Sequence, residues 1–162
     1  MSINTPLSKP STSFWNQLEW HPSNKQLNQL IQLQALLKYW NNQINLTRLV
    51  DHNDYWISHV FDSLWPLRNE ITKPIKNCNC IDVGSGCGFP GIAVSIAMDE
   101  AQLTLVESNS KKAKVLQEIS KELKLSSRII VLNERVEDTG KKEGLRGNFD
   151  IAMARAVAVA PV

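Results

Sequence analysis

Apolar positions recur near helical spacing from Asn24 to Asn42. Leu27, Leu30, Ile31, Leu37 and Trp40 form a stripe that Leu33 and Leu36 widen. Ser23 with Gln26 three residues on, preceded by Pro22, is a capping-box pattern that marks the start of this helix. A second helix is predicted from about Asn53 to Trp65, ended by Pro66, which lacks the N–H needed to continue it. Beyond Lys76 the period shortens. Cys80–Val83 is a short apolar run that leads into a glycine-rich turn and then a helical pattern over Ile92–Met98. Leu103–Val106 reads as a second strand. A helix from about Ser110 to Leu123 follows, with Ala113, Leu116, Ile119 and Leu123 on its buried face. Ile129–Leu132 and Phe149–Ala154 are the third and fourth strands, and Lys141–Asn148 between them reads as an exposed loop. Strands that alternate with helices across short loops predict an α/β fold with a parallel sheet covered by helices on both faces.

This pattern divides the chain. Residues 1–13 are polar, hold two prolines and show no periodicity, so a disordered tail is expected. Residues 14–76 form an N-terminal helical region, and residues 77–162 an α/β core within one domain overall. At 162 residues the chain is long enough to bury a core. Four strands do not complete a doubly wound sheet of this type, and the last would be left as an unpaired edge, so a fragment lacking later strands is expected. No apolar run approaches the roughly 20 residues needed to cross a bilayer, and Met1–Lys9 holds no secretory pattern. Three cysteines make no disulfide framework, and Cys78 with Cys80 offers too few ligands for zinc, so no metal is expected and a cytoplasmic location is. The net charge of +2 lies wholly in the first 79 residues, where 7 Lys and Arg stand against 5 Asp and Glu; the remainder carries 11 of each. Bulk charge therefore does not mark a nucleic-acid binder, and any RNA-facing patch must come from folding.

The informative stretch is Asp82-Val83-Gly84-Ser85-Gly86-Cys87-Gly88. Glycines between a strand and a helix let the chain turn sharply and let a ligand approach the main chain, here at Gly84 and Gly86. Nucleotide sites of several classes use such a loop, and three details narrow the choice. The spacing is G-x-G-x-G, with Phe89 at the sixth place where a dinucleotide fingerprint needs Gly or Ala. Asp82 precedes the first glycine by two residues, where a carboxylate repels a pyrophosphate but can pair with the ammonium of a bound amino acid. Pro90, at the start of the next helix, removes an N–H that a phosphate would use. Glu107 ends the second strand, 23 residues after Gly84, where a carboxylate can accept both hydroxyls of a ribose. A nucleoside with an amino-acid tail and no phosphate satisfies all four.

The run Ile81–Ala97 (IDVGSGCGFPGIAVSIA) closely resembles the bacterial 16S ribosomal RNA guanine-N7 methyltransferases, also called glucose-inhibited division protein B. Asn45-Leu46-Thr47, His59-Val60-Phe61-Asp62-Ser63-Leu64, Arg135-Val136-Glu137 and Ala154-Arg155-Ala156 look like four further stretches of that family, in order. The resemblance implies a class I, Rossmann-like methyltransferase fold with an N-terminal helical extension, and S-adenosylmethionine as cofactor. It implies cofactor contacts at Gly84 and Phe89, at Glu107-Ser108-Asn109, and at Val136-Glu137 near the adenine, with Arg155 closing the pocket below the methionine end. It also implies methyl transfer to N7 of a guanine in 16S rRNA, naked or within the small ribosomal subunit, by a monomer.

Guanine N7 has a lone pair and no proton, so no residue is expected to act as acid or base. His59, Asp62 and Ser63 stand at i, i+3 and i+4, hence on one helical face, as an RNA- or loop-contacting cluster or as a trio pinning the helix to the sheet. If that cluster faces RNA, His59→Ala should leave cofactor affinity intact. Lys111, Lys112 and Lys114 read as a solvated helix face, and Cys87 as a small loop filler. The competing readings are a non-catalytic, truncated cofactor binder and an NAD-dependent oxidoreductase; Asp82, Phe89 and Pro90 disfavour the second.

Overall fold

In the computed structural model, residues 9–47 and 52–155 are described; residues 1–8 of the expected tail, and Ala156 of the Arg155-Ala156 pair, lie outside them. A short helix, α1 (Thr12–Gln17), begins inside the segment expected to be disordered. Two aromatic residues hold it. Phe14 meets Trp56 and Phe61, and Trp15 packs edge-on against Trp20 and Trp56. Six residues are too few to show a periodic stripe, which is why the pattern gave no sign of it.

α2 (Asn24–Asn41) starts where the capping box places it. The Gln26 N–H donates to Ser23 Oγ at 3.3 Å, and the Ser23 N–H donates to Gln26 Oε1 at 2.9 Å. The same Gln26 side chain donates to the carbonyls of Ile96 and Ala97, and Gln29 Nε2 donates to Leu123 O at 2.8 Å. Those carbonyls end helices α6 (Gly91–Ala97) and α7 (Ser110–Glu122), so α2 supplies donors to helix ends that have none of their own.

The second predicted helix does not stop at Pro66. α3 (His52–Asp54) runs into a π-helical segment (Tyr55–Phe61), then α4 (Asp62–Leu64), a 3₁₀ turn (Trp65–Leu67) and α5 (Arg68–Thr72). Pro66 sits in the first positions of the 3₁₀ turn, where its fixed φ suits the start of a new type of turn. The ring changes the type of turn and does not end the run.

The four strands are parallel in the order β3 (Ile129–Leu132), β2 (Gln102–Val106), β1 (Asn79–Val83), β4 (Ile151–Ala154). Asp82 pairs in register with Leu105 on one side and Met153 on the other. The chain moves outward from β1 to β3 and then returns to the far side of β1. That reversal opens a crevice beyond the carboxyl end of β1, where open α/β sheets bind ligands. The buried core runs from Leu30, Leu33 and Leu37 of α2 through Ile92 and Ile96 of α6 to Leu103, Leu105, Leu116 and Ile119. Coverage of the two sheet faces is unequal among the described residues. α6 packs on the face bearing Asp82 and Leu105. On the other, Ile130 is 62% exposed above a hollow bordered by Leu145 and Phe149. α8 (Val136–Thr139) is one short turn between β3 and β4.

Candidate functional site

The site grows from the end of β1. The N–H groups of Gly84 and Ser85 donate to Val106 O at 2.9 and 3.0 Å, which continues the β1–β2 pairing into the loop. Gly86 and Gly88 then take φ of +56° and +97°, the left-handed region that glycine enters without strain. The turn aims the Gly86 N–H at Glu107, whose Oε2 accepts it at 2.8 Å. Glu107 Oε1 accepts the Asn109 N–H at 2.7 Å. One carboxylate at the end of β2 thus bridges the glycine loop and the turn that begins α7. Each of its oxygens keeps a lone pair for a hydroxyl.

Asp82 lies behind this loop. It is fully buried, and Oδ2 accepts the Gly91 N–H at 2.9 Å at the start of α6. Among the described residues its Oδ1 has no hydrogen-bond partner. Burial pushes this carboxyl up to about 6. Gly91 is what lets the helix come so close. A Cβ there would stand 2.7 Å from Asp82 Oδ2 and would overlap the Leu105 side chain. The close helix–strand approach that a dinucleotide loop makes at its third glycine is therefore made here at Gly91, two residues after Phe89.

Phe89 turns the other way. Its ring stacks on His59 at 4.5 Å with 20° between the planes, and meets Tyr55 edge-on. Arg155, just beyond β4, reaches across to this stack. Its Nη1 donates to Ser58 O at 2.7 Å, its Nη2 lies 2.8 Å from His59 Nδ1, and its Cζ is 5.8 Å from the Phe89 centroid. A guanidinium nitrogen only donates, so His59 Nδ1 accepts and the imidazole proton sits on Nε2. That nitrogen lies 3.4 Å from Thr47 Oγ1.

These groups enclose a cavity of about 570 Å³, within the range of small-molecule sites. Gly84, Gly86, Phe89, Glu107, Ser108 and Arg155, of the residues picked out from sequence, line it. The other four do not. Asp82 is sealed beneath the floor, and so does not present its carboxylate directly to the cavity. Asn109 caps α7, its Oδ1 accepting the N–H groups of Lys111 and Lys112. Val136 and Glu137 form the first turn of α8, outside the wall.

The His59 cluster divides. His59 and Asp62 line the cavity, whereas Ser63 is buried and its hydroxyl donates to the His59 carbonyl one turn back. Lys112, read as part of a solvated face, reaches the rim, as does Cys87. Ser58 and Ser85 are wall residues that the sequence did not single out. For Ser58 no signal existed, because the π-helical turn sets which side chains face inward. Among the described residues no group of three His, Cys, Asp or Glu could hold a metal, and no helix is long and apolar enough to cross a membrane.

A family model described as GidB, rRNA small subunit methyltransferase G, matches residues 26–161. A Prochlorococcus marinus (strain MIT 9313) protein named ribosomal RNA small subunit methyltransferase G is 51% identical over all 162 residues, which cover 66% of its length. The protein of the same name from P. marinus (strain NATL1A) is 56% identical over 148 residues, 91% of this chain and 60% of the relative. That from Parasynechococcus marenigrum (strain WH8102) is 52% identical over 157 residues, 97% of this chain and 63% of the relative. The chain spans between three fifths and two thirds of the length of these curated relatives.

Proposed function

This chain belongs to the GidB family, rRNA small subunit methyltransferase G, and from that premise we propose that it binds S-adenosylmethionine in the cavity above β1 and methylates N7 of a guanine in 16S rRNA. The observation that carries the reading is Glu107. At the wall of a cavity of about 570 Å³, its carboxylate is locked to the glycine loop and to α7, with lone pairs left for a vicinal diol.

The residues fit this cofactor. Glu107 suits a ribose, and the half-buried main chain of Gly84 and Gly86 in the cavity wall suits close approach of a flat nucleoside. Arg155 is placed for a carboxylate, held by Ser58 and His59. Asp82 serves through the loop: it fixes the start of α6 and sets a negative charge behind the floor, on the side favourable to a cationic ligand. Asn109 fixes the turn that carries Ser108, and Val136-Glu137 would serve the adenine from α8.

When bound, S-adenosylmethionine supplies an electrophilic methyl group to the N7 lone pair of guanine, which carries no proton. The chain's own side chains then have alignment and exclusion of water as their task, with no proton to remove. Phe89, stacked on His59, forms a rigid apolar wall suited to that task. The work is expected where small ribosomal subunits are assembled, in the cytoplasm.

The test is incubation with methyl-labelled S-adenosylmethionine and 30S subunits from a strain that lacks this methylation, followed by nuclease digestion and mass spectrometry. Labelled N7-methylguanosine in 16S rRNA is expected, with a loss of at least about 100-fold in Glu107→Leu, since two loop anchors and a ligand acceptor go together. Label found only in another base, or none in rRNA, would overturn the reading.

A further inference from the structure

The helical run that carries Ser58, His59 and Asp62 into the cavity shows a different surface outward. Phe61, Trp65 and Arg68 follow one another there at one-turn spacing. The Phe61 and Trp65 rings stack at 5.3 Å with 17° between their planes, and the Arg68 guanidinium carbon lies 4.6 Å from the Trp65 ring centre. Trp65 is 41% exposed, and Ile57, one π-helical turn before Phe61, is 56% exposed. Most exposed tryptophans lie singly on a surface. This one is the middle rung of a ladder of flat groups whose other end adjoins the cavity wall through Asp62.

We propose that this ladder is a stacking platform for an unpaired base of the RNA whose target base enters the cavity. The inference rests on the RNA-methylation reading above and names the part of the RNA that is gripped. Two observations favour RNA over an apolar protein partner. The platform ends in a guanidinium, which offers a plane to a base and a charge to a phosphate, the combination that single-stranded nucleic acid uses. Among the described residues the Arg68 guanidinium makes one hydrogen bond, at 3.3 Å to Trp65 O, besides its contact with the Trp65 ring, so it can turn to a phosphate and give the indole face to a base. A base inside the cavity must be unstacked from its neighbours, and the ladder, on the outer side of the same helical run, restores stacking to an unpaired base farther along the strand.

The experiment is fluorescence anisotropy with the full chain and two labelled oligoribonucleotides, a single-stranded guanine-containing 12-mer and its duplex. Trp65→Ala and Arg68→Gln are compared with the unaltered chain. Calorimetric titration with S-adenosylmethionine reports on the cavity in each. Stacking on an aromatic side chain is worth roughly 1–3 kcal/mol per base. Trp65→Ala should therefore weaken single-strand binding about tenfold or more and leave duplex binding and cofactor affinity unchanged. Arg68→Gln should lower the slope of log affinity against log salt by about one phosphate contact. Single-strand binding that survives Trp65→Ala overturns the platform and leaves the methyltransferase reading standing. An unaltered chain that binds cofactor but no RNA overturns both. Concentration-dependent self-association that Trp65→Ala abolishes would assign the ladder to a second copy of the chain, and overturns the proposal.

Discussion

Asp82 sits at odds with its surroundings: a carboxyl fully out of water, with one oxygen on the Gly91 N–H and the other without a hydrogen-bond partner among the described residues. Burial raises it to about 6, against about 3.9 in an unfolded chain. The folded state therefore binds the proton more tightly. Its stability is highest below about pH 4 as far as this group is concerned, and falls as pH rises through about 4 to 6, by roughly 3 kcal/mol in all. Asp82→Asn keeps an acceptor for Gly91 and removes the charge. Urea unfolding should show the variant more stable than the unaltered chain at pH 8, with the gap closing as pH falls towards 4. A gap that is constant with pH would mean the charge is not the cause. The type and position of Asp82 were legible in sequence, but its depth was not, because only packing under α6 decides which way a strand-end side chain faces.

His59 changes meaning in the same way. Sequence spacing put it beside Asp62 and Ser63, and if that cluster faced RNA its loss was expected to leave cofactor affinity intact. In the structure it accepts from Arg155 and stacks on Phe89, on the cavity wall. His59→Phe retains a stacking ring and deletes the acceptor. Arg155 then loses one of its two anchors, and calorimetric affinity for S-adenosylmethionine should fall about tenfold, the worth of one charge-assisted hydrogen bond. An unchanged affinity would place Arg155 outside the binding site.

At the scale of elements, the glycine loop and α6 act as one unit, because Gly91 seats the helix on β1 and β2. Gly91→Ala puts a methyl group against the side chains of Asp82 and Leu105, both fully buried and packed, with no room to give way. Overpacking of this kind costs about 1–3 kcal/mol, and a fall in melting temperature of several degrees with loss of cofactor protection is expected. The α2 start gives a second comparison. Ser23→Ala removes one cap bond, worth about 1 kcal/mol. Gln26→Ala removes the reciprocal bond and two donations to the end of α6 as well, so it should destabilise more. Equal effects in chemical denaturation would show that the tie to α6 contributes nothing. The elements with a clear period were legible: α2, α7 and the four strands. The run from His52 to Thr72 was legible as helical, but not in its turn types. A π-helical segment shifts side chains off the 3.6-residue period, and it is this shift that puts Ser58 in the wall and Phe61 outside it.

At the scale of the whole molecule, strand order does what no single residue does. Only the return of the chain from β3 to the far side of β1 brings Arg155 opposite Glu107, across a cavity whose outer wall is the N-terminal helical run. Sequence supplied the loop, the two acids and the order of the strands' appearance. It did not supply the neighbour of β4, since strand pairing at long separation leaves no local signature. Cofactor binding therefore depends on the cavity formed by this topology, and titration calorimetry of the unaltered chain with S-adenosylmethionine, and separately with NAD, tests it most directly. Stoichiometric binding of S-adenosylmethionine, lost in Glu107→Leu, with no heat from NAD, is the expected result. Binding of NAD without S-adenosylmethionine, or binding of S-adenosylmethionine that Glu107→Leu leaves intact, would contradict it.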